Sequence, residues 1–282
     1  MLVAAEVAAA PHVGAFSEGV RHGDASLVSS TFSGGVAYDD DAVGGKAPGT
    51  LRLQGLAAAL RMGLAPGITA MASVPFVIAR ADESGVTAIG LGDAMLGLQV
   101  GVYEDGPLAF AVRADVKVPL YVGAPSVRGR QPLRADVDVD SREAGPLPAL
   151  GDGQLDVTVS GLFAATFPFG GFVTWETGYR ARTGDVSDAV TGAGRFAVPV
   201  VDERFLASWN LLFVNSLDPA VDDNDVATDV VGRGFVSTGP ALELGLPEVR
   251  AGLRLRVGSE FVFRGRNAAG GVNVMWGVAC AF

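Results

Sequence analysis

The clearest alternation of apolar and polar positions along the chain is in its last segment, residues 271–282. Counting back from the end, every second residue is apolar: Phe282, Cys280, Val278, Trp276, Val274 and Val272. The residues between them are small or weakly polar. This period of two predicts a β-strand with two unlike faces. Because an unpaired strand edge invites aggregation, we expect this strand to pair with another strand and close a sheet.

Turn signals divide the rest of the sequence into further segments of strand length. Most reach the roughly 9–11 residues that a tilted strand needs to cross a membrane, and none shows a 3.6-residue period. The first is among the weakest in its alternation. The twelve predicted strands are 27–38, 50–64, 68–79, 92–103, 108–120, 153–167, 172–182, 188–198, 204–215, 234–246, 249–264 and 271–282.

The longest apolar stretch, residues 56–79, could alternatively be a transmembrane helix. Pro66 and Gly67 interrupt it in the middle, and Pro75 follows. Since a Pro-Gly pair is typical of a turn, we interpret the stretch as two strands in a hairpin.

The polar faces of several predicted strands carry charges. An Arg or Lys on the lipid side of a barrel costs about 2–4 kcal/mol near the midplane, so these faces are predicted to line the lumen. The charges have two alternative roles: an internal network that rigidifies a closed barrel, or a lining that sets selectivity. The candidate residues are Arg113, Asp115, Lys117, Asp156, Glu176, Arg180, Arg195, Glu243, Arg250, Arg254, Arg256, Glu260 and Arg264.

Connection lengths separate a membrane barrel from a soluble sandwich, which would also alternate. The links after the second, fourth, sixth, eighth and tenth strands are short, and several of the others are long and polar. The longest runs from 121 to 152. Short turns at one end and long loops at the other are typical of an outer-membrane barrel, and an even strand number places both termini on the short-turn, periplasmic side.

The composition limits which partners, metals and cofactors the chain can be expected to bind. Hydrophobic residues make up 49% of the 282-residue chain although its formal charge is −10, and an acidic balance argues against nucleic acid as a partner. The single Cys280 excludes an internal disulfide and a cysteine-based zinc site. The acidic loops do not match the spacing of a calcium loop, and no phosphate or dinucleotide motif is present. We therefore predict no metal and no cofactor.

The number and position of the histidines indicate whether the chain could be a hydrolase. Barrel hydrolases rely on a His that works with Ser or carboxylates. This chain has only His12 and His22, both before the first predicted strand. We therefore predict no catalytic residues and no enzyme activity.

The N-terminal residues 1–26 form a separate predicted unit ahead of a barrel at 27–282. The first eleven residues end in small residues, as a signal peptide does, but they lack a basic start, and Glu6 interrupts the apolar core. The unit is predicted to be a signal remnant, a periplasmic tail or a plug for the lumen. The 121–152 loop is the alternative plug.

Several pieces of the sequence resemble the phenol-degradation-pathway (MetA-type) family of Gram-negative outer-membrane proteins. They are Ile89-Gly90-Leu91-Gly92-Asp93, the stretch Leu150-Gly151-Asp152-Gly153-Gln154-Leu155-Asp156, and Glu176-Thr177-Gly178-Tyr179-Arg180. The last strand also resembles the terminal strand of outer-membrane barrels, which usually ends in Phe. The resemblance implies contact with outer-membrane lipid and passage of small, including hydrophobic, molecules. It also implies a signal for the barrel-assembly machinery in Val274, Trp276, Val278, Cys280 and Phe282.

Together these observations predict an all-β, single antiparallel transmembrane barrel of about twelve strands in the outer membrane. Its expected activity is passive or facilitated passage of a small-molecule solute. The first alternative is a barrel that conducts nothing and anchors a surface assembly. The second is a soluble all-β binding protein. The sequence indicates neither the solute nor the oligomeric state.

Overall fold

The computed structural model describes residues 15–16, 18–38, 44–81, 87–120, 155–183, 188–201, 204–217, 234–250, 252–266 and 268–282. The proposed 121–152 plug, His12 and the acidic loop clusters lie outside these residues. Within them, no helix is long and apolar enough to cross a membrane.

The described residues form one antiparallel sheet of thirteen strands. Their bounds are β1 Gly23–Tyr38, β2 Gly44–Ala65, β3 Ile68–Ala81, β4 Thr87–Leu91, β5 Asp93–Asp105, β6 Leu108–Pro119, β7 Asp156–Thr166, β8 Phe172–Arg182, β9 Ala189–Val201, β10 Phe205–Ser216, β11 Gly234–Gly245, β12 Leu253–Arg266 and β13 Ala268–Ala281. The hairpin predicted for 56–79 is confirmed, with its turn at Pro66-Gly67.

The sheet closes on itself where the first strand meets the last. β1 pairs with β13 from Asp24 opposite Ala281 to Tyr38 opposite Ala268. At the end of this seam, Gly23 N donates to Phe282 O at 3.0 Å and Phe282 N donates to Gly23 O at 2.9 Å. The predicted closure of the last strand on the first is therefore confirmed, and it leaves the backbone of both strands paired on each side.

The strands β4 and β5 together occupy one position in the barrel wall. Both pair with β3, and only Gly92 separates them. The interruption lies opposite Pro75, which has no backbone N–H to donate. The Pro75 carbonyl instead accepts a hydrogen bond from Gly92 N at 2.8 Å. The barrel thus has the twelve positions that were predicted, but the fourth predicted strand began too late, at residue 92.

The two ends of the barrel differ in their connections. One end, here called the turn rim, holds Gly23, Phe282 and the connections 66–67, 106–107, 167–171, 202–204 and 246–252. The opposite end, the loop rim, holds the two longest connections, 120–155 and 217–233. One connection at the loop rim does not follow this pattern, because a single residue joins β12 to β13 there. By this loop pattern the turn rim is the periplasmic end.

The two faces of the wall are chemically opposite, as the alternation predicted. Large apolar side chains are exposed on the outside, including Ile89 (61%), Val102 (68%) and Trp276 (63%). Buried polar or small residues occupy many of the inward positions between them, as they do all along β6. A closed antiparallel sheet with an apolar exterior and a polar interior is the architecture of an integral outer-membrane barrel.

Gly271 provides a test of the closing seam. A Cβ at this position would lie 2.3 Å from Ser33 O and 2.6 Å from Gly34 Cα, whereas a Cβ at Gly161 would meet no atom within 4 Å. We expect Gly271→Ala to force the seam apart and destabilise the barrel by about 1–3 kcal/mol. The measurement is the temperature at which the compact band is lost on a gel. Gly161→Ala is the matched control, and equal shifts in both variants would contradict the seam's role.

Candidate functional site in the barrel lumen

The lumen is lined by charged side chains that the sequence placed there. Eight of the predicted residues are buried within the wall's interior face: Arg113, Asp115, Lys117, Asp156, Glu176, Arg195, Glu243 and Glu260. They come from β6, β7, β8, β9, β11 and β12. Seven of them form two groups of ion pairs on different parts of the wall, and the eighth, Glu260, lies on β12.

The first group centres on Arg113 of β6. Its Nε lies 2.7 Å from Asp115 Oδ2, and its Nη2 donates a short hydrogen bond to Glu176 Oε1. All three side chains are at least nine-tenths buried. The bond to Glu176 crosses β7, which lies between β6 and β8. The guanidinium therefore holds two carboxylates within a cross-strand network.

A second cation, Lys117, continues the first group toward the loop rim. Its Nζ lies 2.5 Å from Asp156 Oδ2 and 3.8 Å from Asp93 Oδ2. Arg182 Nε approaches the other oxygen of Asp156 at 3.6 Å. Asp93 follows the interruption at Gly92, so the Pro75 irregularity places this carboxylate on the lumen side.

The second group lies on β9 to β12. Arg195 Nη2 lies 2.6 Å from Glu243 Oε1, and Arg256 Nε approaches the same oxygen at 3.7 Å. Arg256 Nη2 is also 3.5 Å from Asn210 Oδ1. Two guanidinium groups therefore share one carboxylate, which leaves this part of the wall richer in positive charge than the first group.

Four other predicted residues are not buried, and two of them, Arg250 and Arg264, do not face the lumen. Arg250 is exposed in the turn before β12, so the strand predicted at 249–264 began too early. Arg264 is exposed, because the β11–β12 register shifts between Val262 and Arg264 and reverses the face beyond it. Arg180 keeps the inward position of β8 and is half-buried, and Arg254 keeps the inward position of β12 but is exposed.

The residues just before β1 lie inside the barrel at the turn rim. Arg61 Nη2 donates to Phe16 O at 2.6 Å, and its Nη1 lies 3.4 Å from Glu18 Oε1. Gln99 Nε2 donates to Ala15 O at 3.3 Å, and Glu18 N donates to Thr69 Oγ1 at 3.1 Å. We call the described residues 15–16 and 18–22 the N-terminal segment.

The N-terminal segment also makes apolar contact with the wall. Ala15 is fully buried against small residues of β6 and β7, with Phe16 packed beside them. The sequence reasoning missed its partners Gln99 and Thr69, and treated Arg61 only as an interruption of an apolar stretch. The signal was available, because Arg61 is the one charge in that stretch and has inward parity on β2. His22 is exposed at the turn rim.

An apolar cluster occupies another part of the inner wall. Its buried members are Phe32, Leu53, Val77, Ala79, Phe235, Val262 and Met275, from strands β1, β2, β3, β11, β12 and β13. The strand alternation did not predict it, since it described inward faces as polar. The lumen therefore has charged groups on β6 to β8 and on β9 to β12, and an apolar cluster around the seam.

At the loop rim, the Asp188 side chain joins the start of β9 to the end of β8. Its carboxylate accepts a short hydrogen bond from the Tyr179 hydroxyl and another from Arg182 N at 2.9 Å. The hydrogen bond from Tyr179 has the larger effect and the one from Arg182 N the smaller, and together they hold the pKa of Asp188 below its ordinary value. The contacts fix the end of β8 beside the start of β9.

Arg113→Met tests the first group. Removing the cation leaves Asp115 and Glu176 buried without it, so we expect a destabilisation of about 3–5 kcal/mol. The measurement is a urea titration in lipid vesicles. Arg204→Met is the control, because its pair with Glu248 is 59% exposed on both sides and should contribute nothing measurable. Equal midpoints for wild type and Arg113→Met would show that the network does not support the fold.

No protein-family model matches the sequence, and a search of the curated proteins finds no match. Among solved structures, the chain is similar to the COG4313 outer membrane channel from Pseudomonas putida F1, with a TM-score of 0.71, 10% identity, and coverage of 96% of this chain and 99% of that one. It is also similar to the KdgM porin in complex with disordered oligogalacturonate (TM-score 0.50, 7% identity, 91% and 99% covered). A third similar structure is the translocator domain of the autotransporter NalP from Neisseria meningitidis, with a TM-score of 0.50, 11% identity, and coverage of 92% of this chain and 88% of that one. The chain has the fold of outer-membrane β-barrels, including channels.

Proposed function

We propose that the protein is a passive channel for small molecules in the outer membrane, narrowed at the turn rim by the N-terminal segment. The observation that carries the proposal is the position of this segment. Residues 20–22 pair with Gly63 at the turn rim. Beyond them the segment lies in the lumen without strand pairing, held by polar contacts from Arg61, Gln99 and Thr69 and by the packing of Ala15 and Phe16. A segment held in this way can be displaced without opening the wall.

The charged lining supports the same proposal. The two groups lie on different parts of the wall, one rich in carboxylates and one in guanidinium groups, so a solute passing between them meets a field across the lumen. The predicted lining residues that keep inward positions are the candidates for selectivity. Dense pairing around Arg113 also supports the alternative role, an internal network in a barrel that conducts nothing.

We propose that the protein is related in role to the phenol-degradation-pathway family. The likeness to a channel of 10% identity concerns the fold. The apolar cluster around Phe32 supports passage of molecules with hydrophobic parts, which is the role that the phenol-degradation-pathway resemblance implies. We propose no enzyme activity, because Arg113, Lys117 and Arg195 are engaged in ion pairs and both histidines of the chain precede β1.

We further propose that the part of the predicted 1–26 unit that precedes β1 has the plug role, since residues 23–26 belong to the first strand of the wall. We also propose that the last strand carries the signal for the assembly machinery. The apolar residues Val274, Trp276, Val278, Cys280 and Phe282 alternate on the outer side of β13. Val274, Trp276 and Phe282 are exposed there toward lipid.

Gln99→Leu tests the channel and the plug together. The change keeps the side chain's size but removes the donor to Ala15 O, so the N-terminal segment should leave the lumen more often. We expect small, infrequent openings of the wild type in planar bilayers and an open fraction several-fold higher in the variant.

Gln54→Leu is the matched control, because Gln54 is exposed on the outer face of β2. It should leave the current unchanged. A complete lack of openings in both wild type and Gln99→Leu would refute the channel and favour the anchoring alternative. Openings that Gln99→Leu leaves unaltered would retain the channel but reject the plug.

Phe282→Ala tests the proposed assembly signal. Phe282 is exposed at the turn rim, where its backbone already pairs with Gly23, so loss of the ring should cost the folded barrel little. We expect the fraction of compact protein in the outer membrane to fall several-fold while refolding in vesicles is unchanged. Phe263→Ala, at an exposed aromatic on β12, is the control. Equal assembly of the two variants would reject a special role for the C-terminal ring.

A further inference from the structure

A group of buried polar side chains on the inner wall has atoms without hydrogen-bond partners. Five such atoms are buried without a partner: Glu260 Oε2, both polar atoms of the Asn273 side chain, Ser30 Oγ and Ser237 Oγ. The four residues are at most 8% exposed. A buried polar atom without a partner is costly, and each such atom calls for an explanation. We call these four residues the Glu260–Asn273 site.

The strand register brings the four residues together. Glu260 of β12 is directly opposite Asn273 of β13, which places their Cβ atoms about 4.5–5.5 Å apart. Ser30 of β1 is opposite Met275, and Ser237 of β11 is opposite Val262, so each is a diagonal neighbour of this central pair. All four belong to consecutive positions in the sheet, β11, β12, β13 and β1.

Apolar side chains surround this polar centre. Phe32 is directly opposite Asn273, and Met275 and Val262 are the next inward residues on their strands. The Phe32 ring lies over the seam, where Gly34 and Gly271 leave room for it: a Cβ at either glycine would come within 3 Å of the ring. Met275 adds an adaptable side chain of the kind that accommodates ligands of varied shape. A few polar groups within an apolar lining is the composition of a small-molecule site.

We propose that the Glu260–Asn273 site binds a small uncharged molecule that has an apolar body and a hydroxyl group. The hydroxyl donates to Glu260 Oε2 and accepts from the Asn273 amide, so one group satisfies both. The inference rests on the proposed channel function, for which it supplies a class of solute.

The hydrogen-bonding requirements of Glu260 and Asn273 exclude charged head groups. A carboxylate has no proton to donate to Glu260. An ammonium group can donate to Glu260 but has no lone pair with which to accept from the Asn273 amide. A neutral hydroxyl can do both, so it leaves neither group without a partner.

The test uses three probes with one body and different head groups: benzyl alcohol, phenylacetate and benzylammonium. Binding is measured by ligand-observed NMR with the full chain in lipid nanodiscs, and empty nanodiscs correct for partition into lipid. We expect saturable binding of benzyl alcohol and at least tenfold weaker binding of the two ions. Equal binding of all three, or none of any, would overturn the proposal.

Asn273→Leu, which is nearly isosteric, should weaken the binding of benzyl alcohol about tenfold, because two hydrogen-bonding atoms of the protein are lost. Glu260→Met should have a similar effect. Ser160→Ala is the matched control, since Ser160 Oγ is equally buried and unpartnered but lies on β7 in the charged wall. Unchanged affinity in Asn273→Leu and Glu260→Met would place the ligand elsewhere and reject the site.

Stability provides a second readout. Because both substitutions replace a buried unpartnered polar group by an apolar one, the unliganded variants should unfold at the same temperature as wild type or higher. A lower temperature for both would show that the polar groups serve the fold and would count against the site. If Asn273→Leu does not fold, Glu260→Met provides the test, with the same expected loss of affinity. Bilayer currents are recorded separately, so binding without conduction rejects the channel alone, and conduction without binding rejects this site alone.

Discussion

Everything in this molecule depends on the backbone pairing of β1 with β13. In the hydrocarbon core of a membrane no water is available for an open strand edge, so a sheet can cross only if its first and last strands satisfy each other. The seam does this along the whole of β1, down to the reciprocal bonds of Gly23 and Phe282. Glycines at Gly34, Gly271 and Gly277 line the seam, where Cβ atoms would collide with the opposite strand.

Closure determines the chemistry of the lumen. Once the wall is closed, every second side chain must face inward, and charges there are removed from bulk water. They are tolerable only when paired, which explains why Arg113 and Lys117 each reach carboxylates across strands. The same constraint makes the unpartnered atoms around Glu260 and Asn273 conspicuous, because that part of the wall has polar groups without such partners.

Sequence reasoning predicted the architecture well and the site in part. The period of two fixed the faces of β6, β8 and β13, because lipid on one side and a lumen on the other impose strict alternation. It failed where the register shifts: the shift before Arg264 and the interruption at Pro75 both reverse a face. At Gly92 the outward apolar residues change from odd positions, Ile89 and Leu91, to even ones that start at Leu96, and too few residues precede the change to fix the earlier phase from the sequence. The N-terminal contacts of Gln99 could not be foreseen, since they join residues far apart in sequence.

The N-terminal segment is covalently attached to the strand that closes the barrel. Only a short stretch separates Phe16 from Gly23, which is fixed in the seam. When the segment leaves its contacts with Arg61 and Gln99, it stays near them at an effective concentration on the order of millimolar or above. A solute in the lumen therefore competes with a tethered occupant that rebinds quickly. Passage through such a barrel would proceed in brief events, each ended by the return of the protein's own chain.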